Sequence, residues 1–296
     1  MPRKLDFEVT SEFDGVKLIV FLRGHVGISA RLLVKLKNDP LGLLRNGEHI
    51  RTVDKLQTGD IITVNMPEEK NGIEPTTAEG LDVIFEDEDV LIINKPAGIA
   101  MHPTHNHQGD TLANMISAYF RDNNKDIVFR TVGRLDKCTS GIVVVALNAH
   151  TANILSEKIR KEYLAIADGV YKGSGTISKP IIRPDPMKTF RWVGEDGEYA
   201  VTHWKSELTD GRRTLLRINL ETGRTHQIRV HFASMDTPLA GDDMYGGNHE
   251  VISRAALHCA KISFFHPVSG EKIELEAPLP EDMQRIYNKM ISLIEK

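Results

Sequence analysis

Apolar residues recur at helical spacing in two early stretches, VKLIVFLRG (16–24) and ISARLLVKLKNDP (28–40). Such spacing predicts two helix-type segments around a turn. In the sequence that follows, Arg45-Asn46-Gly47-Glu48 has the Asn-Gly pair of a tight hairpin, and Thr58-Gly59-Asp60 is a second turn before the alternating strand Ile61 to Met66. Residues 66–80 are polar, contain Pro67, Gly72, Pro75 and Gly80, and show no apolar period. The pattern therefore divides the chain into a small module over 1–70, a linker over 71–80 and a larger domain over 81–296. In that domain LDVIFEDEDVLIINKPAG (81–98) reads as two strands around an acidic turn, the run Glu86 to Asp89 being a solvated hairpin tip. TLANMISAYFRDN (111–123) is an amphipathic helix with Leu112, Met115, Ile116 and Tyr119 on one face. SGIVVVALN (140–148) is an uninterrupted apolar strand, the mark of burial on both faces. A helix over HTANILSEKIRKEY (150–163) is expected to run into the strand YLAIADGVY, followed by strands at KTFRWV, AVTHWKSEL and TLLRINLET. THQIRVHFASM (225–235) is a short helix with Ile228, Phe232 and Met235 on one side, LHCAKISFFHP and EKIELEAP are late strands, and EDMQRIYNKMISLIEK is a closing helix. Hairpin-linked strands with interspersed helices predict an α+β fold rather than a wound parallel sheet.

Composition narrows the class without naming a function. With 296 residues, 41% hydrophobic and 26% charged, the chain is an ordinary globular protein with room for a sizeable core. No apolar stretch is long enough for a membrane helix, and the N-terminus lacks a secretory h-region, so a cytoplasmic protein is expected. Cys138 and Cys259 are too few for a disulfide framework or a zinc site and are read as buried thiols. The net charge of −4 argues against a protein that coats nucleic acid non-specifically, but a local basic surface is a separate matter.

Two stretches carry candidate chemistry. In Gly133-Arg134-Leu135-Asp136-Lys137-Cys138-Thr139-Ser140-Gly141 an acid stands between basic and small polar residues just before the buried strand. Such a junction fixes a carboxylate at a sheet edge, although an acid here can equally cap backbone N–H groups of a turn. Glu221-Thr222-Gly223-Arg224-Thr225-His226-Gln227-Ile228-Arg229-Val230-His231 concentrates donors, with Arg212, Arg213 and Arg217 upstream and Glu221 the sole acid between Arg212 and His231. That density reads as an anion-binding face, its bland alternative being a solvated charged surface.

Residues 134–141 and 222–231 together resemble the signature of the RluA-type pseudouridine synthases, His-Arg-Leu-Asp-x-x-Thr-Ser-Gly followed by Thr-Gly-Arg-Thr-His-Gln-Ile-Arg-Val-His. Further similarities fall in order at Asn94-Lys95-Pro96-Ala97-Gly98, His102-Pro103, Thr111-Leu112-Ala113-Asn114, Lys161-Glu162-Tyr163-Leu164-Ala165, Gly241-Asp242, Tyr245-Gly246 and Leu257-His258, so the resemblance spans roughly residues 80–280. It departs at Gly133, where the family most often has His. The resemblance implies a mixed, largely antiparallel central sheet flanked by helices. It implies an enzyme that detaches uracil from its ribose and rejoins it through ring carbon 5, without cofactor or metal. Asp136 is then the catalytic carboxylate, Arg229 its basic partner and Tyr163 the aromatic residue that packs on a flipped uracil. Arg134 enters the space the base leaves, Ile228 walls the base pocket, and Arg224 and His226 bind substrate. The N-terminal module is similar to a small RNA-binding domain of ribosomal proteins through Ser29-Ala30-Arg31 and Leu44-Arg45-Asn46-Gly47. The expected partner is RNA, ribosomal RNA ahead of transfer RNA, met by a monomer.

Three other signals are discounted. His102, His105 and His107 do not have zinc-ligand spacing, Gly173-Ser174-Gly175 is a glycine turn without dinucleotide context, and Thr139-Ser140-Gly141 lacks the glycine of a hydrolase elbow.

Overall fold

The structure, a computed structural model, describes residues 3–69, 71–104, 107–156 and 158–295. The first unit begins with a strand the apolar pattern does not announce, β1 (Lys4–Glu8). Then come α1 (Leu18–Val20), running on into a π-type turn over Phe21–His25, and α2 (Ala30–Lys37). The Ser29 side chain caps α2 by accepting from Leu32 N–H at 3.2 Å. Strands β2 (Leu43–Arg45) and β3 (Glu48–His49) form the expected hairpin, whose turn residues Asn46 and Gly47 have φ of 52° and 88°. With β4 (Ile61–Asn65) they complete an antiparallel sheet in the order β1-β4-β2-β3. Leu18, Phe21, Leu22, Leu36, Ile62 and Val64 close a separate apolar core beneath it. Among the described residues, no named element falls between Asn65 and Asp82.

The second unit is built on nine strands: β5 (Asp82–Glu86), β6 (Val90–Lys95), β7 (Ser140–Ala146), β8 (Arg160–Ala167), β9 (Ser174–Ser178), β12 (Val201–Thr209), β13 (Thr214–Leu220), β14 (Leu257–Phe265) and β15 (Lys272–Glu276). A small pair, β10 (Ile181–Ile182) and β11 (Trp192–Val193), stands apart. Helices α3 (Leu112–Asp122), α4 (Ala149–Leu155), α5 (Gln227–Ala233) and α6 (Glu281–Ile294) accompany the strands. The order is β5-β6-β7-β14-β8-β13-β12-β9, with β15 also on β14. Every pairing is antiparallel except β7 with β14, where only His258–Ser140 and Cys259–Gly141 face one another. The α+β class and the mixed, mainly antiparallel sheet agree with the expectation. No helix among the described residues is long and apolar enough to cross a membrane.

Several local readings change. The helix at 150–163 is shorter: α4 ends at Leu155 and Arg160 to Glu162 already belong to β8, where Glu162 pairs with Asn219. Ser174 and Gly175 belong to a strand rather than a free glycine turn, and the Trp204 ring occupies the space a Cβ at Gly175 would need. Helix α3 is buried almost all round, Tyr119 being its half-buried residue. Met235 lies beyond α5 and is exposed. The acidic run is not simply solvated. Asp89 is buried, accepting from Arg3 Nη2 at 2.9 Å and Asn148 Nδ2 at 2.8 Å, which ties the N-terminal unit to the sheet. Cys138 is half-buried, while Cys259 is buried.

Candidate active site

The loop Arg134–Thr139 enters β7 at the one place where the sheet turns parallel, and it is gripped from behind. Gly98 N–H donates to the Lys137 carbonyl at 2.7 Å. The fully buried Lys95 ammonium reaches the carbonyls of Pro96 (2.8 Å), Ile99 (2.9 Å) and Lys137 (3.4 Å). Burial pushes the Lys95 pKa down to about 8. Arg254 donates to the Cys138 carbonyl at 3.2 Å while Asp282 of α6 accepts two of its N–H groups, at 2.7 and 2.9 Å. Two cations thus hold consecutive carbonyls just after Asp136. Gly141 follows with φ 112°, and a Cβ there would lie 2.3 Å from the Cys259 carbonyl oxygen, so the β7–β14 approach requires glycine.

Asp136 projects into a cleft where all seven sequence-derived candidates meet: Arg134, Asp136, Tyr163, Arg224, His226, Ile228 and Arg229. Its Oδ2 lies 3.6 Å from Arg229 Nη1 and 3.9 Å from His226 Nε2. Arg229 has little freedom. Asp242, whose side chain is wholly buried, takes its Nε at 2.7 Å and its Nη2 at 2.6 Å. The Tyr245 ring lies 5.0 Å from the guanidinium carbon. Burial, the largest single influence, works against this charge, but the Asp242 hydrogen bonds together with the negative charges of Cys138, Asp242 and Asp136 outweigh it and the Arg229 pKa is raised. The third guanidinium nitrogen, Nη1, is the one turned to Asp136.

His226 is the N-cap of α5, in left-handed backbone geometry with φ 58°. Burial pulls its pKa down, ahead of the opposing pull of Asp136. Tyr245 Oη accepts from Arg191 N–H at 3.0 Å and lies 2.8 Å from His226 Nδ1. The contact between Nδ1 and the phenol holds the ring with Nε2 turned toward Asp136.

Tyr163, on β8 opposite Ile218 and Cys259, belongs both to the main core and to the cleft wall. Burial, then the neighbouring Cys259 and Asp136, raise its pKa well above the usual phenol value. The buried Ile228 likewise serves core and cleft. Arg134 is exposed, with no hydrogen-bond or carboxylate partner among the described residues. Arg224 is half-engaged, donating to the Tyr199 carbonyl at 3.0 Å and pairing with Glu198 at 2.6 Å. Gly133 has φ 77°, and a Cβ there would come within 2.8 Å of the Lys161 ammonium, which gives the departure from the family's His a local setting.

The wider anion-binding reading of this region is corrected. Gln227 uses its carbonyl on Thr222 Oγ1 and Arg224 N–H and its amide on the Val201 carbonyl and Thr202 Oγ1. His231 is buried between Thr202 Oγ1 and the Lys179 carbonyl, each at 2.9 Å. Arg212 and Arg213 pair with Glu250, Arg213 also with Asp168, and Arg217 with Glu162 and Glu207. The neutralising acids come from distant segments, so counting local charge misses them. The sequence also offers no role for Lys95, Asp242, Tyr245 and Arg254, although the first three lie in matched motif fragments.

A larger cavity of about 420 Å³ lies behind the loop, lined by Lys95, Ser140, Arg254, His258, Asp282 and Arg285. Asp136 does not reach it, so size does not mark the reactive centre. Among the described residues, Asp87, Asp89 and His266 bring potential metal ligands together. His266 Nδ1 already accepts from Ser269 N–H at 3.0 Å, leaving the ring proton on Nε2, 3.0 Å from Asp87 Oδ2. A protonated nitrogen is no ligand, and Asp89 is committed to Arg3 and Asn148. His102 abuts the Phe129 ring and His107 pairs with Asp110, whereas His105 lies outside the described residues.

A family model described as RNA pseudouridylate synthase matches residues 89–234. The uncharacterized RNA pseudouridine synthase YjbO of Bacillus subtilis is 38% identical, the match covering 89% of this chain and 95% of the relative. Its YhcT counterpart is 42% identical over 80% and 81% of the two chains. Ribosomal large subunit pseudouridine synthase D of Escherichia coli is 36% identical over 80% and 78%. The solved human RNA pseudouridylate synthase domain containing 1 superposes with a TM-score of 0.55 at 24% identity, covering 74% of this chain and 98% of its own, which speaks to the fold. With both signature motifs converging on one carboxylate and relatives matched along most of their length, this chain belongs to the RNA pseudouridine synthase family.

Proposed function

We propose that Asp136 performs the isomerisation chemistry at the ribose of a uridine displaced from folded RNA, with large-subunit ribosomal RNA as the substrate. The observation that carries the reading is the ordered contact of Asp136 Oδ2 with Arg229 Nη1 at 3.6 Å, on a guanidinium already locked by Asp242. A carboxylate beside a fixed cation at the floor of a cleft suits attack on the anomeric carbon, or removal of the proton at the 2′ position. Either route breaks the bond from ribose carbon 1′ to uracil N1, turns the base and forms the bond to ring carbon 5. The carbon 5 proton departs and N1 regains one, so the reaction is redox-neutral. Tyr163 forms the wall on which the uracil rests. Arg134, exposed and unpaired among the described residues, fills the vacated stack, offsetting an extrusion that costs a few kcal/mol. Ile228 bounds the base, and Arg224 and His226 contact the nucleotide.

The ribosomal substrate is supported by relatives named for the large subunit, which match 71–83% of this chain. The N-terminal unit, with Arg31 and Lys37 on α2, is the second RNA contact. Incubation with RNA tritiated at uridine carbon 5 tests the activity: wild-type protein releases the label. Mapping pseudouridine in cells lacking the protein tests the substrate, and a missing site in transfer RNA instead would overturn the ribosomal assignment.

A further inference from the structure

The loop between β10 and β11 carries chemistry that neither signature motif includes. Arg183, Lys188 and Arg191 lie along it, and Trp192, which begins β11, is 57% exposed. Arg183 and Arg191 have no carboxylate within ion-pair distance among the described residues; their side chains donate to carbonyls of the loop itself, Lys188 for Arg183 and Thr189 and Phe190 for Arg191. Glu195 and Asp196 occupy the turn at the base of the hairpin, Asp185 accepts from Met187 N–H and lies 3.9 Å from Lys188 Nζ, and Glu198 is taken by Arg224. The tip is therefore basic and the base acidic.

The loop is also joined to the cleft. Phe190 stacks on Tyr245 with centroids 5.0 Å apart and planes at 21°, and Trp192 lies 5.6 Å beyond Phe190. Arg191 N–H donates to Tyr245 Oη, and Tyr245 covers Arg229. An aromatic series thus runs from an exposed indole to the guanidinium beside Asp136. Arg134, at the cleft mouth, belongs to the same basic rim: burial first, and then the charges of Arg183 and Arg134, lower the Arg191 pKa. Two arginines that meet no carboxylate among the described residues, next to an exposed aromatic ring, suit a single-stranded polyanion with bases to stack.

We propose that residues 183–192 are a strand clamp, Arg183 and Arg191 holding phosphodiesters of the RNA beside the displaced uridine and Trp192 stacking on an unpaired neighbouring base. The proposal rests on the RNA reading of the cleft, and its test is separate from the test of catalysis. Affinity for a fluorescein-labelled 12-nucleotide oligouridine is measured against salt for the full-length protein. The Arg183→Gln/Arg191→Gln variant is expected to lower the slope of log affinity against log salt by about 1.4, about 0.7 for each phosphate that no longer meets an arginine. Trp192→Ala is expected to weaken binding about tenfold, the usual scale of one stacked base. Both variants raise KM in the tritium-release assay and leave kcat at saturating RNA in place. Unchanged affinity and salt slope would overturn the clamp, and so would a fall in kcat at constant KM, which would make the loop a mere support for Tyr245. Altered oligouridine binding with no tritium release by wild type would instead sink the enzymatic reading and leave the clamp standing.

Discussion

Asp136 and its surroundings divide the work among residues in a testable way. Asp136→Asn keeps the shape of the side chain and removes its charge. It is expected to cut tritium release at least about 10³-fold while leaving the thermal midpoint and RNA affinity in place. Asp242 never reaches the cleft surface, yet it sets the direction of Arg229. Asp242→Asn leaves a guanidinium buried without its counter-charge, so unfolding in urea should show a loss of about 3–5 kcal/mol, with turnover falling as Arg229 loses its orientation. The sequence marks Asp136 and Arg229 because both stand in long motifs. It gives Asp242 no role, because a buried ion pair thirteen residues apart looks no different from any surface acid until the chain is folded.

At the scale of elements, the fold brings β7 and β14 into parallel contact for two residue pairs, then gives the rest of that edge of β14 to β15. The short contact sets where the Asp136 loop ends. Gly141→Ala would place a methyl group against the Cys259 backbone at a φ that disfavours side chains, and about 3 kcal/mol of stability should be lost by urea unfolding. Strand β7 is readable because seven consecutive buried residues leave an unbroken apolar run. Strands β1 and β9 are not. KLDFE exposes most of its residues on an edge, and SGTIS offers one buried side chain, so neither presents a hydrophobic period. The boundary between α4 and β8 departs from the sequence expectation for a related reason: Lys161 and Glu162 fit a helix face as well as a strand, and only pairing with β13 and β14 makes them strand.

For the whole molecule, the contact between the two units has a pH signature. His150 begins the buried side of α4 and meets the Phe7 ring of β1 edge-on at 6.4 Å. Burial pushes its pKa down to about 4, so the folded protein keeps it neutral where an unfolded chain binds a proton. Its folded pKa is depressed, so stability is intact above the ordinary histidine range and is lost as pH falls from about 6.5 toward 4. Urea unfolding across that window should show His150→Gln lacking about 1.4 kcal/mol per pH unit of the wild-type slope. By itself the sequence determined the class of fold, the helices with strong periods and the motif positions of Asp136 and Arg229, because motif order and hydrophobic period survive in one dimension. Which arginines are free was decided only by the tertiary structure. Arg212, Arg213 and Arg217 sit in the basic-looking stretch and are neutralised by Glu250, Asp168, Glu162 and Glu207, whereas Arg183 and Arg191 sit in an acidic-looking stretch and meet no carboxylate among the described residues. Charge acts through distance in space, and the strand order that brings those acids to those arginines is not written in their spacing along the chain.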